Sequence, residues 1–143
     1  MVRRTMGAGM LMAALGSVLG CGDPSIGPGW HYIGRAGGAV QMDVWVDAQS
    51  VQQNGPYFEV RERARYEGAA ADPMVRALEM RALYDCAERR IALKSMGYFA
   101  DKQWATAPTV TTVEDGQESW SPAHGVNTIS AMKLDYVCGK AGR

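Results

Sequence analysis

The chain has 143 residues, 47% hydrophobic and 21% charged, with 15 Lys and Arg balancing 15 Asp and Glu. That is enough for one ordinary domain with a real core, too short for two large ones, and too apolar for a disordered tail. Without a basic excess, DNA or RNA is excluded as an expected partner.

The N-terminus reads as an address. Met1-Val2-Arg3-Arg4 is basic, and Met6 to Gly20 carries no charge. This apolar stretch is shorter than the ~20 residues a membrane-spanning helix needs, and it ends in small residues, as an export signal does. The next residues, Val18-Leu19-Gly20-Cys21, resemble the lipobox of bacterial lipoproteins. Residues 1–20 are therefore expected to be a lipoprotein signal peptide, and Cys21 the acylated mature N-terminus. Several acyl chains on one residue hold a domain that a single chain would hold only marginally. The rival reading makes Cys21 an ordinary residue after a conventional cleavage site. By the same resemblance, Gly22 rather than Asp after the lipidated Cys points to the outer membrane, with the leaflet left open. Removing residues 1–20 leaves 13 basic against 15 acidic residues, a net charge of −2.

With Cys21 lipidated, Cys86 and Cys138 are the remaining thiols in an oxidising compartment, so a Cys86–Cys138 disulfide is expected. For a loop of this length, chain entropy gives roughly 4 kcal/mol of stabilisation. The two cysteines lack CxxC or HxxxH neighbours, and His31 and His124 stand alone, so no metal and no cofactor is expected.

Residues 21–29 read as a flexible Gly/Pro tether leading to a domain over residues 30–138, with 139–143 as a short tail. Trp30 to Gly34 is a strand candidate, and Gly37-Gly38 turns into Val40 to Asp47. There Val40, Met42, Val44 and Val46 share one face, and Gln41, Asp43, Trp45 and Asp47 the other. Asn54-Gly55 and Pro56 mark a turn into Tyr57 to Tyr66. Phe58, Val60, Ala64 and Tyr66 share its apolar face, interrupted by Glu62; Tyr57, Glu59, Arg61, Arg63 and Arg65 line the opposite, wet face. Glu79, Asp85 and Glu88 are the expected partners of these arginines.

Met74 to Met96 is ambiguous. Its Ala, Leu, Met, Glu and Arg suit a helix, while Leu78, Met80, Ala82, Tyr84 and Cys86 alternate as on a strand. Tyr98 to Trp104 is a further strand candidate, and Thr106 to Trp120 reads as a polar loop. Val126, Ile129, Met132, Lys133, Tyr136 and Val137 outline a final amphipathic helix, with Asn127 or Thr128 as cap, Gly139 as stop and Cys138 in its last turn.

Taken in order, these residues resemble the surface-adhesin protein E family of exported bacterial proteins. The matching elements are Trp30 with Ile33, Val46-Asp47-Ala48-Gln49-Ser50, Tyr57-Phe58-Glu59-Val60, Tyr84-Asp85-Cys86-Ala87-Glu88-Arg89-Arg90, Tyr98, Trp120-Ser121-Pro122 and Tyr136-Val137-Cys138. They run from about residue 30 to 138. The resemblance implies an α+β fold: a predominantly antiparallel, meander-like sheet of five or six strands, with a C-terminal helix tied to it by the Cys86–Cys138 bond. It turns Met74 to Met96 towards strands. Ala123-His124-Gly125 after Pro122 departs from the family's usual Gly-Ser or Gly-Thr.

The expected function is that of a non-catalytic envelope lipoprotein, adhesin-like, whose sheet edges or aromatic patches bind an envelope or host matrix protein. Trp45 and Tyr57, on otherwise polar strand faces, are candidate contacts unless a helix or loop covers them. An internal periplasmic envelope-maintenance or small-ligand-binding role is the alternative. Catalysis by His31 or His124 is disfavoured, because no GxSxG, HExxH or comparable arrangement accompanies them.

Overall fold

The computed structural model describes residues 26–68, 70 and 72–142. Cys21, the proposed signal peptide and most of the tether lie outside the described residues. The strands are β1 (Trp30–Ala36), β2 (Gln41–Asp47), β3 (Gln52–Asn54), β4 (Tyr57–Glu67), β5 (Ala77–Asp85), β6 (Arg90–Phe99), β7 (Thr109–Thr112) and β8 (Trp120–Pro122), followed by the helix α1 (Ile129–Ala141). All strand pairs are antiparallel. The order is β1-β2-β4-β5-β6-β7, with β3 pairing β4 and β8 pairing β6. The expected meander with a C-terminal helix is what forms, and its main path holds the anticipated number of strands.

Met74 to Met96 holds β5 and most of β6, which form a hairpin. Helical propensity loses here because Leu78, Met80, Ala82 and Tyr84 find the long strand β4 alongside, with Ala64↔Leu78 and Phe58↔Tyr84 in register. Such tertiary pairing outweighs the few tenths of a kcal/mol per residue that separate good helix formers from poor ones. Asp85 shapes the turn: its Oδ1 accepts from the Glu88 amide at 3.0 Å and its Oδ2 from Arg90 Nε at 2.9 Å. Cys86, in that turn, is bonded to Cys138 of α1 across 52 positions, with a Cα–Cα distance of 5.8 Å.

Two sequence expectations fail beyond β6. Tyr98 and Phe99 end that strand, and Ala100 to Trp104 folds into a turn around Asp101, which accepts from the amides of Gln103, Ala105 and Thr106. Within the supposed loop Thr106 to Trp120, Thr109-Val110-Thr111-Thr112 pairs with β6; its polar hydroxyls hid a β-branched run. At the other end, Ile26, placed in the tether by composition, is buried against Trp45, Ala77, Phe99 and Trp104.

α1 begins at Thr128, whose Oγ1 accepts from the Ala131 amide at 3.2 Å. It continues through Gly139 and ends at Gly142, so Gly139 is not the stop, and Val126 stands before the helix, 81% exposed. The helix lays Leu134 and Val137 on Val46, Val60, Ala82 and Tyr84. Gly34, at a bulge in β1, lets it approach: a Cβ there would meet Ile129 Cδ1 at 3.3 Å and Met132 Cε at 3.4 Å.

The strand face away from α1 is less wet than its sequence suggests. Arg63 lies between the rings of Trp30 and Trp104, 4.6 and 4.8 Å from their centroids, and Arg65 lies 5.1 Å from that of Trp45. These guanidinium–ring contacts let the alternating arginines of β4 build a second layer.

Candidate functional site

The strand β7 lies at one end of the main path of the sheet. All four of its residues are exposed, and it hydrogen-bonds to β6 on one side, with Met96↔Thr111 and Tyr98↔Thr109 in register. The Val113 amide continues that ladder, donating to the Lys94 carbonyl at 2.8 Å. Antiparallel ladders alternate inward and outward backbone groups, so Thr109 and Thr111 turn theirs to β6, while Val110 and Thr112 turn theirs to the free side. Val110 is also 57% exposed in its own right.

Beside this edge, on the same sheet face as Thr109 and Thr111, a cleft of about 570 Å³ is bounded by Met74, Val75, Tyr98 and Ala100. Met74 is 72% exposed. Its backbone is fixed by Asp72, whose Oδ1 accepts from the Met74 amide at 2.8 Å, and by the neighbouring bond from Arg76 N to Phe99 O at 2.7 Å. A fixed backbone carrying an unbranched thioether gives an adaptable apolar wall. Two of the large exposed hydrophobic residues therefore meet at this strand, Val110 on it and Met74 beside it.

Neither aromatic candidate stands free. Trp45 is 5% exposed; Trp104 meets its ring edge-on at 6.2 Å and Tyr32 meets it at 5.5 Å. The neighbouring loop covers it, helped by the bond from Trp104 Nε1 to the Leu78 carbonyl at 2.8 Å. Tyr57 is half-buried, 4.7 Å from the Trp120 ring, on the wall of an open groove of about 560 Å³ that is also lined by Lys94, Asp115 and Glu118. Lys94 is bonded to both carboxylates, which leaves the groove one net negative charge.

The remaining site residues take structural positions. Arg63 pairs with Glu79, as expected, at 2.8 Å, but Arg61 pairs with Asp47 and Arg65 with Glu67. Asp85 instead holds Arg90, and Glu88 contributes its amide to Asp85. The His31 ring stacks on Tyr136 with centroids 4.0 Å apart, and the His124 carbonyl accepts from Thr128 Oγ1. Among the described residues, no three His, Cys, Asp or Glu side chains are grouped as metal ligands would be.

Sequence reasoning missed two features. One is the β7 edge, whose signal was the Thr-Val-Thr-Thr run itself. The other is Glu62, noted as an interruption of an apolar face: it is 1% exposed, accepts from the Tyr84 hydroxyl and bonds Lys133 of α1 at 2.6 Å. Burial, reinforced by the Glu62 carboxylate, pushes the Tyr84 phenol well above its ordinary pKa, which keeps it a donor.

The family model described as surface-adhesin protein E matches residues 30–139. Among solved structures, crystal form II of Haemophilus influenzae protein E is similar, with a TM-score of 0.51 and 9% identity, covering 70% of this chain and 83% of that one. At that identity the likeness speaks for the fold. No curated protein matches the sequence.

Proposed function

Because the chain belongs to the surface-adhesin protein E family, matched over residues 30–139, we propose that it is an exported, lipid-anchored adhesin that works by holding a protein partner rather than by catalysis. The family match carries this reading. The exposed strand β7 and its apolar cleft support it, since they offer a binding surface, and the His31 ring is stacked on Tyr136. Acyl chains on Cys21 would hold the domain at the outer membrane, with residues 1–20 removed as the signal peptide, and the partner would be a host matrix or envelope protein.

Two experiments test this. Radioactive palmitate should label the wild-type protein and not the Cys21→Ser variant; label on the variant would remove the anchor. Protease added to intact cells should degrade the protein, and cells expressing it should attach to immobilised matrix protein more than cells lacking it. Full protection together with unchanged attachment would overturn the adhesin assignment.

A further inference from the structure

We propose that β7 recruits its partner by strand addition: an extended, uncharged segment of the partner protein pairs with the outward backbone groups of Val110 and Thr112 and lays an apolar side chain into the cleft beside Met74. This rests on the adhesin reading above and specifies how the contact is made.

An exposed edge strand presents unpaired N–H and C=O groups, and proteins ordinarily protect such edges with charge, Pro or a bulge. The other edges here carry such devices or are cut short: β3, Gln52–Asn54, is only three residues long. β1 is broken by a bulge between Tyr32 and Gly34 and bears Arg35, and β8 ends in Pro122. β7 has none of them: Thr109, Val110, Thr111 and Thr112 are uncharged, unbulged in their register with β6, and exposed throughout. What satisfies a free ladder is another extended backbone, and affinity then comes from main-chain bonds while pockets for alternate side chains set specificity.

The cleft defines that side chain. It lies on the face of Thr109 and Thr111, its walls include Met74, Val75, Tyr98 and Ala100, and Asp72 is the one charged residue among those lining it. Asp72 is already accepting from the Met74 amide. A neutral edge beside an apolar cleft fits an uncharged strand with an aliphatic or aromatic residue at the position facing it. A second copy of this chain fits less well, because the four residues of β7 paired with themselves bring only Thr109 and Thr111 to the two clefts, and the apolar residue of that parity, Val113, lies past the strand end.

The test is selection of phage-displayed random heptapeptides on the purified full-length protein. Enriched peptides should be uncharged, free of Pro at alternate positions, and rich in β-branched and apolar residues. Val110→Pro removes one outward donor and spares the bonds to β6, so it should weaken those peptides roughly tenfold or more. Val110→Lys, which leaves the backbone intact, should weaken them as well, and Val110→Thr should retain affinity within about twofold. No enrichment, enrichment of charged or Pro-rich peptides, or binding indifferent to both Val110→Pro and Val110→Lys would overturn the proposal. So would a concentration-dependent dimer abolished by Val110→Lys, which would make the occupant a second copy. If peptide binding fails while the protein still promotes attachment of cells to matrix, strand addition is refuted and the adhesin reading stands.

Discussion

The Lys133 ammonium lies 2.6 Å from the Glu62 carboxylate, joining the middle of α1 to the centre of the sheet. Glu62 is 1% exposed and also accepts from the Tyr84 hydroxyl, so the cluster is satisfied only while all three members are present. Removing one partner of a buried ion pair leaves the other charge stranded, at a cost of about 3–5 kcal/mol. Lys133→Ala is expected to lose stability of that order. Tyr84→Phe removes one donor and should lose about 1–3 kcal/mol. The double variant Glu62→Leu/Lys133→Met should lose less than Lys133→Ala, which urea unfolding of the three variants will show.

The Cys86–Cys138 bond fastens the β5–β6 turn to α1. Reduction, or Cys138→Ser, should cost about 2–5 kcal/mol, and thermal unfolding with and without reductant should differ accordingly for wild type and not for the variant. Mass spectrometry of unreduced protein should find one peptide pair joined through these residues.

Gly34 sets how closely α1 approaches β1. Gly34→Val would press against Ile129 and Met132, where a Cβ alone already comes within 3.3 Å of the Ile129 side chain. The expected loss is about 1–3 kcal/mol. Gly34→Val/Ile129→Ala should recover part of it, measured by denaturant midpoint.

Several carboxylates make the fold acid-sensitive. Hydrogen bonds from the Thr106 hydroxyl and amide hold the Asp101 carboxyl well below the usual carboxylate range. Bonds from Arg35 lower Asp43, and the Glu88 amide lowers Asp85. A carboxyl depressed in the folded state contributes stability that is fully present above its unfolded pKa, about 3.9, and is lost as pH falls towards the folded value. Urea midpoints should therefore be level near neutrality and fall as pH drops below about 4. Asp101→Asn should start lower at neutral pH and fall less steeply.

Periodicity exposed the parts of this fold that are amphipathic along one strand. β2 and β4 were legible because Met42, Val44 and Val46, like Phe58, Val60, Ala64 and Tyr66, face the same packed layer. β7 was not, because no side of a strand bearing four exposed side chains has an apolar stripe; its existence depends on β6 lying beside it. The second layer was concealed for a different reason. Arg61 and Arg63 look like a solvated face until Trp30 and Trp104, distant in sequence, pack against them, and Arg65 until it meets Trp45 of β2. Cysteine counting, by contrast, led to the Cys86–Cys138 link once Cys21 was set aside as the expected lipidation site.

The described chain enters the sheet at β1 and offers its open strand at β7, the opposite end of a six-strand path. With neighbouring strands about 4.8 Å apart, anything gripped at β7 is held roughly 24 Å from that point of entry. In the adhesin proposed above, a pull between the two, as from fluid drag, would cross every ladder between them and load the strand pairs in series. The weakest of these pairs, as much as the grip itself, would then limit how long attachment survives in flow.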